Sequence, residues 1–229
     1  MEGSLITILW FGFLLGIKHA IEPDHVIAVS TIAAQSRSLW RSALAGVFWG
    51  IGHTFTLLVV GVALLLLKTE ISDAWANGLE FAVGVMLVVL GVTSLISSGQ
   101  RQWHVHRHQH DGDTHAHFHS HDQNRTHVHT HRGRYYYLKS TLVGFIHGLA
   151  GSAAMFVLTM SRVEGPWQAM LYILIFGAGT VLGMLLFTTL LGVPFVASTR
   201  RPRLHGWMTR LTGVVSTVFG VSYMISVIA

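Results

Sequence analysis

The sequence predicts an all-α, polytopic membrane protein of about six transmembrane helices, built as a 3+3 inverted repeat with a broken first segment. Three observations predict it. Of 229 residues, 51% are hydrophobic and only 11% charged, whereas a globular surface needs roughly a quarter charged residues. The charge gathers in a few connecting segments, and the apolar stretches between them are long enough to cross a bilayer. A short pattern also recurs: Gly16-Ile17-Lys18-His19-Ala20 early in the chain is echoed by Gly144-Phe145-Ile146-His147-Gly148 later.

Composition excludes several classes. A mean hydropathy of +0.53 excludes disorder for most of the chain. The absence of Cys excludes a disulfide scaffold and thiolate-bound iron–sulfur clusters. A net charge of +5 would ordinarily raise nucleic acid as a partner. Here the basic residues flank apolar spans, where they set topology, so the expected partner is the lipid bilayer and not nucleic acid. Met1-Glu2-Gly3-Ser4 carries no Lys or Arg ahead of the first apolar run. The run therefore reads as a retained helix rather than a signal peptide.

The first apolar segment, residues 5–34, is too long for one straight span. Its middle holds Lys18, His19, Glu22, Pro23, Asp24 and His25. Pro23 lacks an N–H and disfavours helix at Glu22, so a break is expected there. Buried in lipid unpaired, these imidazoles and carboxylates would be costly. They must face the bundle interior, pair with one another, or bind a cation. Neutral imidazole suits nickel, cobalt, zinc and copper. Asp24 either joins a nitrogen and oxygen shell or orients a ligating His by accepting its second N–H. A structural polar network at a helix break is the competing reading.

The second segment, residues 42–67, places His53 near its middle, where it needs an internal partner. The third, residues 79–97, starts beside Glu80, which reads as interfacial. The fourth, residues 138–160, carries His147 followed by small residues, which favours a position lining a passage. The fifth and sixth cover residues 167–191 and 211–228. His205 falls in the connection between them and reads as a loop residue without a role. Glycines four apart, such as Gly144 and Gly148, put smooth stripes on helix faces. Two membrane halves, residues 1–100 and 138–229, thus flank a connection at 101–137.

That connection is the second theme, in a chain with 16 His. It contains His104, His106, His108, His110, His115, His117, His119, His121, His127, His129 and His131, with Asp111, Asp113 and Asp122 among them. Alternate spacing can put imidazoles on one side of an extended chain. With no apolar set to bury, disorder is expected. The tract is suited to auxiliary binding of divalent metals in many overlapping shells.

Topology follows from Lys and Arg. Arg37, Arg41, Arg101, Arg107, Arg125, Arg132, Arg134, Lys139, Arg200, Arg201, Arg203 and Arg210 fall in alternate connections, and only Lys68 and Arg162 in the others. This places the His-rich connection in the cytoplasm and both termini outside, in a multi-pass inner or plasma membrane protein.

With these residues in view, the chain resembles the nickel/cobalt permease superfamily. His19 through Asp24 and His25 is similar to its His-x4-Asp-His signature. Ile51-Gly52-His53-Thr54 is similar to its second-span Gly-His motif. His147-Gly148-Leu149-Ala150-Gly151-Ser152-Ala153 resembles the segment opening its second half. The resemblance is to a short six-span branch, including nickel/cobalt efflux and urease-accessory-like membrane proteins. It implies transport of Ni²⁺, or Co²⁺, as substrate, with His19, Asp24, His25 and His53 critical and His147 on the path. No further cofactor is implied. It also implies nickel enzyme maturation proteins as partners. Two departures, six spans rather than about eight and no acidic residue in the second-half motif, leave import and export equally open.

Two other classes stand beside transport. One is a metal-binding membrane chaperone or sensor that works through the His tract and delivers nickel to a metalloenzyme. The other is an intramembrane metalloenzyme, disfavoured because no His-Glu-x-x-His occurs and the His are spread singly. No phosphate-binding Gly-x-x-x-x-Gly-Lys-Ser/Thr sequence appears, so direct ATP drive would need another chain.

Topology is open to direct test. In this Cys-free chain, His115→Cys is expected to react with a membrane-impermeant maleimide only after the cytoplasmic face is exposed. Labelling in intact cells would reverse the assigned orientation.

Overall fold

Prolines set the helix starts. The computed structural model describes the backbone of residues 2–67, 71–99, 104–110, 113–119, 132–160 and 165–229; side chains at 2–4, 65, 98–99, 104–119, 132–135 and 152–160 fall outside the description. Pro23, Pro166 and Pro202 each occupy the first turn of a helix, where a missing N–H is harmless and φ is already helical. The elements run α1 (Glu2–His19), α2 (Pro23–Ala33), α3 (Leu39–Leu67), α4 (Asp73–Gly99), β1 (His104–His110), β2 (Asp113–His119), α5 (Arg132–Met160), α6 (Pro166–Ser198) and α7 (Pro202–Ile228).

The expected break is present. α1 ends at His19, Glu22 is extended at φ −63° and ψ 147°, and α2 restarts at Pro23 with its axis bent by 56°. Among the described residues, α3, α4, α6 and α7 are each long and apolar enough to cross a membrane, and the bent α1–α2 pair makes a fifth, broken span. α5, a helix of 29 residues, packs along α3.

The lipid-facing surface is apolar, with Phe55, Leu66, Ile96, Leu190, Val218 and Ile225 well exposed. Water could not tolerate so much apolar surface, but lipid does. Trp40 and Trp207 are exposed near the starts of α3 and α7. Trp75 and Trp167 are exposed near the starts of α4 and α6, at the opposite end of the bundle. These are the two interfacial girdles expected of a spanning bundle.

Inside, large side chains such as Trp49, Leu57, Leu87, Tyr172 and Met184 are fully buried alongside small and hydroxylated residues that let backbones approach. Buried hydroxyls donate to backbone carbonyls: Ser140 to Ala45 (2.9 Å), Ser216 to Leu87 (2.8 Å), and Thr56 to both Gly52 (3.0 Å) and Phe145 (3.1 Å).

The helix pairs are the same in both halves. α1 runs alongside α6, and α5 runs alongside α3; α3 crosses α6, and α4 crosses α7. Gly16 lies against Phe176 and Thr180 of α6, as Gly144 lies against Trp49 of α3. Gly179 lies against Phe13, as Gly52 lies against Thr141. Across α4 and α7, Gly84 meets Gly220 and Gly91 meets Gly213, one contact run in both directions. Matching residues therefore keep a near-constant sequence separation: Gly16 with Gly144, His19 with His147, Gly52 with Gly179, Gly84 with Gly213. The Gly-x-x-His echo is part of this repeat.

Two features differ from expectation. Within the connection expected to be disordered, β1 and β2 pair antiparallel, setting His104 opposite His119, His106 opposite His117 and His108 opposite His115. Composition lacks the relevant signal, because the tract has no apolar set to bury. His121, His127, His129 and His131 lie outside the described residues. His205 is not in a loop. It lies in the first turn of α7, buried, with Nδ1 at 3.1 Å from Ser198 Oγ and 3.2 Å from the Phe195 carbonyl. Pro202 starts α7 earlier than hydropathy alone suggests.

The glycine contacts predict an asymmetric response to substitution. A Cβ at Gly144 would run into the Trp49 backbone, whereas one at Gly78 meets nothing within 4 Å. Gly144→Val is expected to destabilise by about 1–3 kcal/mol and Gly78→Ala to be neutral or stabilising, as read by thermal unfolding in detergent. Equal melting temperatures would refute the close contact.

Candidate metal centre

The break at residues 20–22 puts a polar helix end and a polar helix start side by side in the middle of the bundle. His19 closes α1, and Asp24 and His25 open α2. Asp24, in the first turn of α2, also gains from the positive end of the helix dipole. α3 brings His53 and α5 brings His147. Their approach depends on Gly148, whose Cβ would collide with the His53 backbone.

Asp24 organises one side of the cluster. Its Oδ1 accepts the His25 backbone N–H at 2.9 Å and lies 3.1 Å from His25 Nδ1, and its Oδ2 lies 2.9 Å from His147 Nε2. Both imidazoles thus have one nitrogen held by the carboxylate. Their other nitrogens, His25 Nε2 and His147 Nδ1, are buried with no hydrogen-bond partner. A carboxylate on one nitrogen and a free lone pair on the other is the arrangement of a metal-ligating His.

His19 organises the other side. Its Nδ1 lies 2.9 Å from Glu22 Oε2 and its Nε2 lies 3.2 Å from His53 Nε2. Nitrogens bound at about 2.0–2.1 Å in one tetrahedral shell sit roughly 3.3 Å apart, so the two imidazoles are spaced as co-ligands of one ion. His53 Nδ1 is buried without a partner.

Two overlapping sets each bring their donor atoms within 4.8 Å of one another: His19, His25 and His53, and Asp24, His25 and His147. His25 belongs to both. Its ring centroid lies 4.0 Å from that of His147, 4.5 Å from His19 and 5.3 Å from His53. All five residues singled out in the sequence therefore meet in one place. Three buried ring nitrogens, on His25, His53 and His147, are without a hydrogen-bond partner, and each such group costs free energy.

A cavity of about 270 Å³ reaches the cluster, with His19, Asp24 and His147 on its wall. Sequence reasoning missed three of its surroundings. Trp49, fully buried, lies beside His25 with ring centroids 6.3 Å apart and beside His147 at 5.8 Å. Phe176, 5.5 Å from His19 between centroids, flanks it on the cavity side. Glu80, expected at the interface, lines the same cavity.

Comparison with known proteins agrees with this geometry. The family model described as "High-affinity nickel-transport protein" matches residues 5–229. A urease accessory protein, UreH, of Bacillus sp. (strain TB-90) is 54% identical over 221 residues, covering 96% of this chain and 92% of that protein. Two Arabidopsis thaliana chloroplast proteins, FOR GROWTH AND FERTILITY 1 and 2, are each 25% identical; the chain spans 60% and 58% of their lengths. No solved structure matches. Family membership, with its role in transport, sets the metalloenzyme reading aside and makes the metal a substrate rather than a cofactor. A bundle with a broken first span, a buried His and Asp cluster at the break and a family match over nearly its whole length place this chain in the high-affinity nickel-transport protein family.

Proposed function

We propose that the chain carries Ni²⁺, and also Co²⁺, across the cell membrane by alternating access, with His19, Asp24, His25, His53 and His147 forming the substrate site. The observation that carries this reading is the convergence of donors from the broken first span, α3 and α5 in one cluster, which a cavity reaches at His19, Asp24 and His147. The ion sheds part of its water and gains imidazole nitrogens. Asp24 holds the rings of His25 and His147 with their free nitrogens turned to the ion. Ligands must release protons to bind metal, so metal and protons compete for the site. This competition allows a proton gradient to drive transport. An inside-negative potential also favours inward movement of a dication, by about 4.6 kcal/mol per 100 mV at roughly 2.3 kcal/mol per charge.

The His-rich connection then acts as an auxiliary metal holder on the cytoplasmic face, with both termini outside. A second reading has a specific observation behind it: the relative of Bacillus sp. is named a urease accessory protein. On that reading, the chain hands nickel to an enzyme maturation protein, and His104–His131 is the working part.

Proteoliposomes separate these readings. Flux of Ni²⁺, Co²⁺, Zn²⁺ and Mn²⁺ is measured under imposed pH gradients. His19→Ala, Asp24→Ala and His25→Ala are each expected to reduce Ni²⁺ flux roughly 10- to 100-fold while the protein still unfolds cooperatively. Unchanged flux in all three would sink the site. Deleting residues 104–131 is expected to leave most of the flux; if delivery were the function, its loss would appear in nickel enzyme activation.

A further inference from the structure

The cavity that reaches the histidines carries charge that the substrate site does not use. Glu22 and Glu80 line it together with Lys18, Asp24, His19 and His147. Side-chain exposure falls from 49% at Glu22 to 19% at Asp24 and 4% at His147. Glu22 is therefore the more open of these two carboxylates and Asp24 the deeper, while Glu80 is partly buried on the same cavity wall. His147, nearly fully buried, also lines the cavity, and its Nδ1 has no hydrogen-bond partner. Among the described residues neither Glu80 nor Lys18 forms an ion pair, and Glu22 pairs only with His19.

The mouth is special to one face. The repeat that matches His19 with His147 matches Glu22 with Ala150 and Lys18 with Ile146, and the α4–α7 match sets Glu80 against Thr209. The other half therefore offers no carboxylate at these positions. The whole chain is basic at +5, yet this cavity holds three carboxylates against one ammonium group.

We propose that Glu22 and Glu80 form a carboxylate station at the cavity mouth that captures a hydrated divalent cation and feeds it to the histidines. The station rests on the reading of the histidine cluster as a metal site. Carboxylate oxygens take divalent cations with their water largely in place and with little preference among them. Imidazole nitrogens deeper in the cavity then discriminate in favour of transition metals. Lys18 supplies the counter-charge while the mouth is empty and moves aside on its flexible stem. The station is thus a capture device, and it sets the association rate more than the final affinity.

Stopped-flow mixing of Ni²⁺ with the purified full-length chain tests this through quenching of tryptophan fluorescence. Glu80→Gln is expected to slow association roughly three- to tenfold and to flatten its dependence on ionic strength. Dissociation should change less than about twofold, and Glu80→Asp should restore most of the rate. Millimolar Mg²⁺ should slow Ni²⁺ association in the wild type and much less in Glu80→Gln. Wild-type association rate and salt dependence in Glu80→Gln would overturn the station while leaving the histidine site intact. If the wild type bound no Ni²⁺, the site and the station would fall together.

Discussion

One carboxylate holds the centre of this molecule together. Asp24 stands at the first turn after a helix break and bridges His25 of its own helix to His147 of α5. In a hydrocarbon environment a lone carboxylate could not stay there. It stays because the break provides a backbone N–H and a helix N-terminus, and because two imidazoles turn toward it. The same contacts fix which nitrogen of each ring is left over. The proposed metal chemistry is therefore a consequence of how the first span solves its own burial problem.

The rest of the bundle serves this close meeting of polar groups. Imidazoles from the broken first span, α3 and α5 reach one another only if backbones approach closely, and glycine-against-backbone contacts provide that approach at Gly16, Gly144 and Gly148. Large apolar side chains such as Leu66, Val218 and Ile225 cover the lipid face, and others, among them Trp49, Leu87 and Tyr172, fill the interior and help to lock it. Directed hydroxyl-to-carbonyl bonds such as Ser140 to Ala45 take over part of that task.

How much of this was legible in the sequence depended on the type of physical constraint. The break was legible, because Pro23 and a run of ionisable residues in an apolar stretch admit few alternatives. So was the inward direction of His53 and His147, because lipid penalises any other. The placement of Glu80 was not. A charged residue near a helix start suits an interface equally well, and only the packing of α4 and α7 decides which way it turns. Trp49 and Phe176 were hidden for a related reason: in a membrane the lipid face is as apolar as the core, so hydrophobic periodicity does not say which face is inside. His205 was misplaced because the start of α7 is set by Pro202, a helix-initiating signal that hydropathy windows ignore.

The repeat gives the proposed cycle a physical footing. Alternating access requires two arrangements of similar stability that differ in which face is open. Here α1 against α6 and α5 against α3 use the same kind of contact, a glycine against a backbone carbonyl one helix away. Exchanging the roles of the two pairs would replace each contact by its counterpart and introduce no new mode of packing. The side chains at matched positions are unequal, however. Trp49 is fully buried beside His25, whereas its counterpart Phe176 borders the cavity. On the proposed cycle the two states would be close in energy, while Trp49 beside the cluster and the carboxylates lining the cavity would make them chemically different. Such a difference lets a symmetric scaffold handle the ion differently on its two faces.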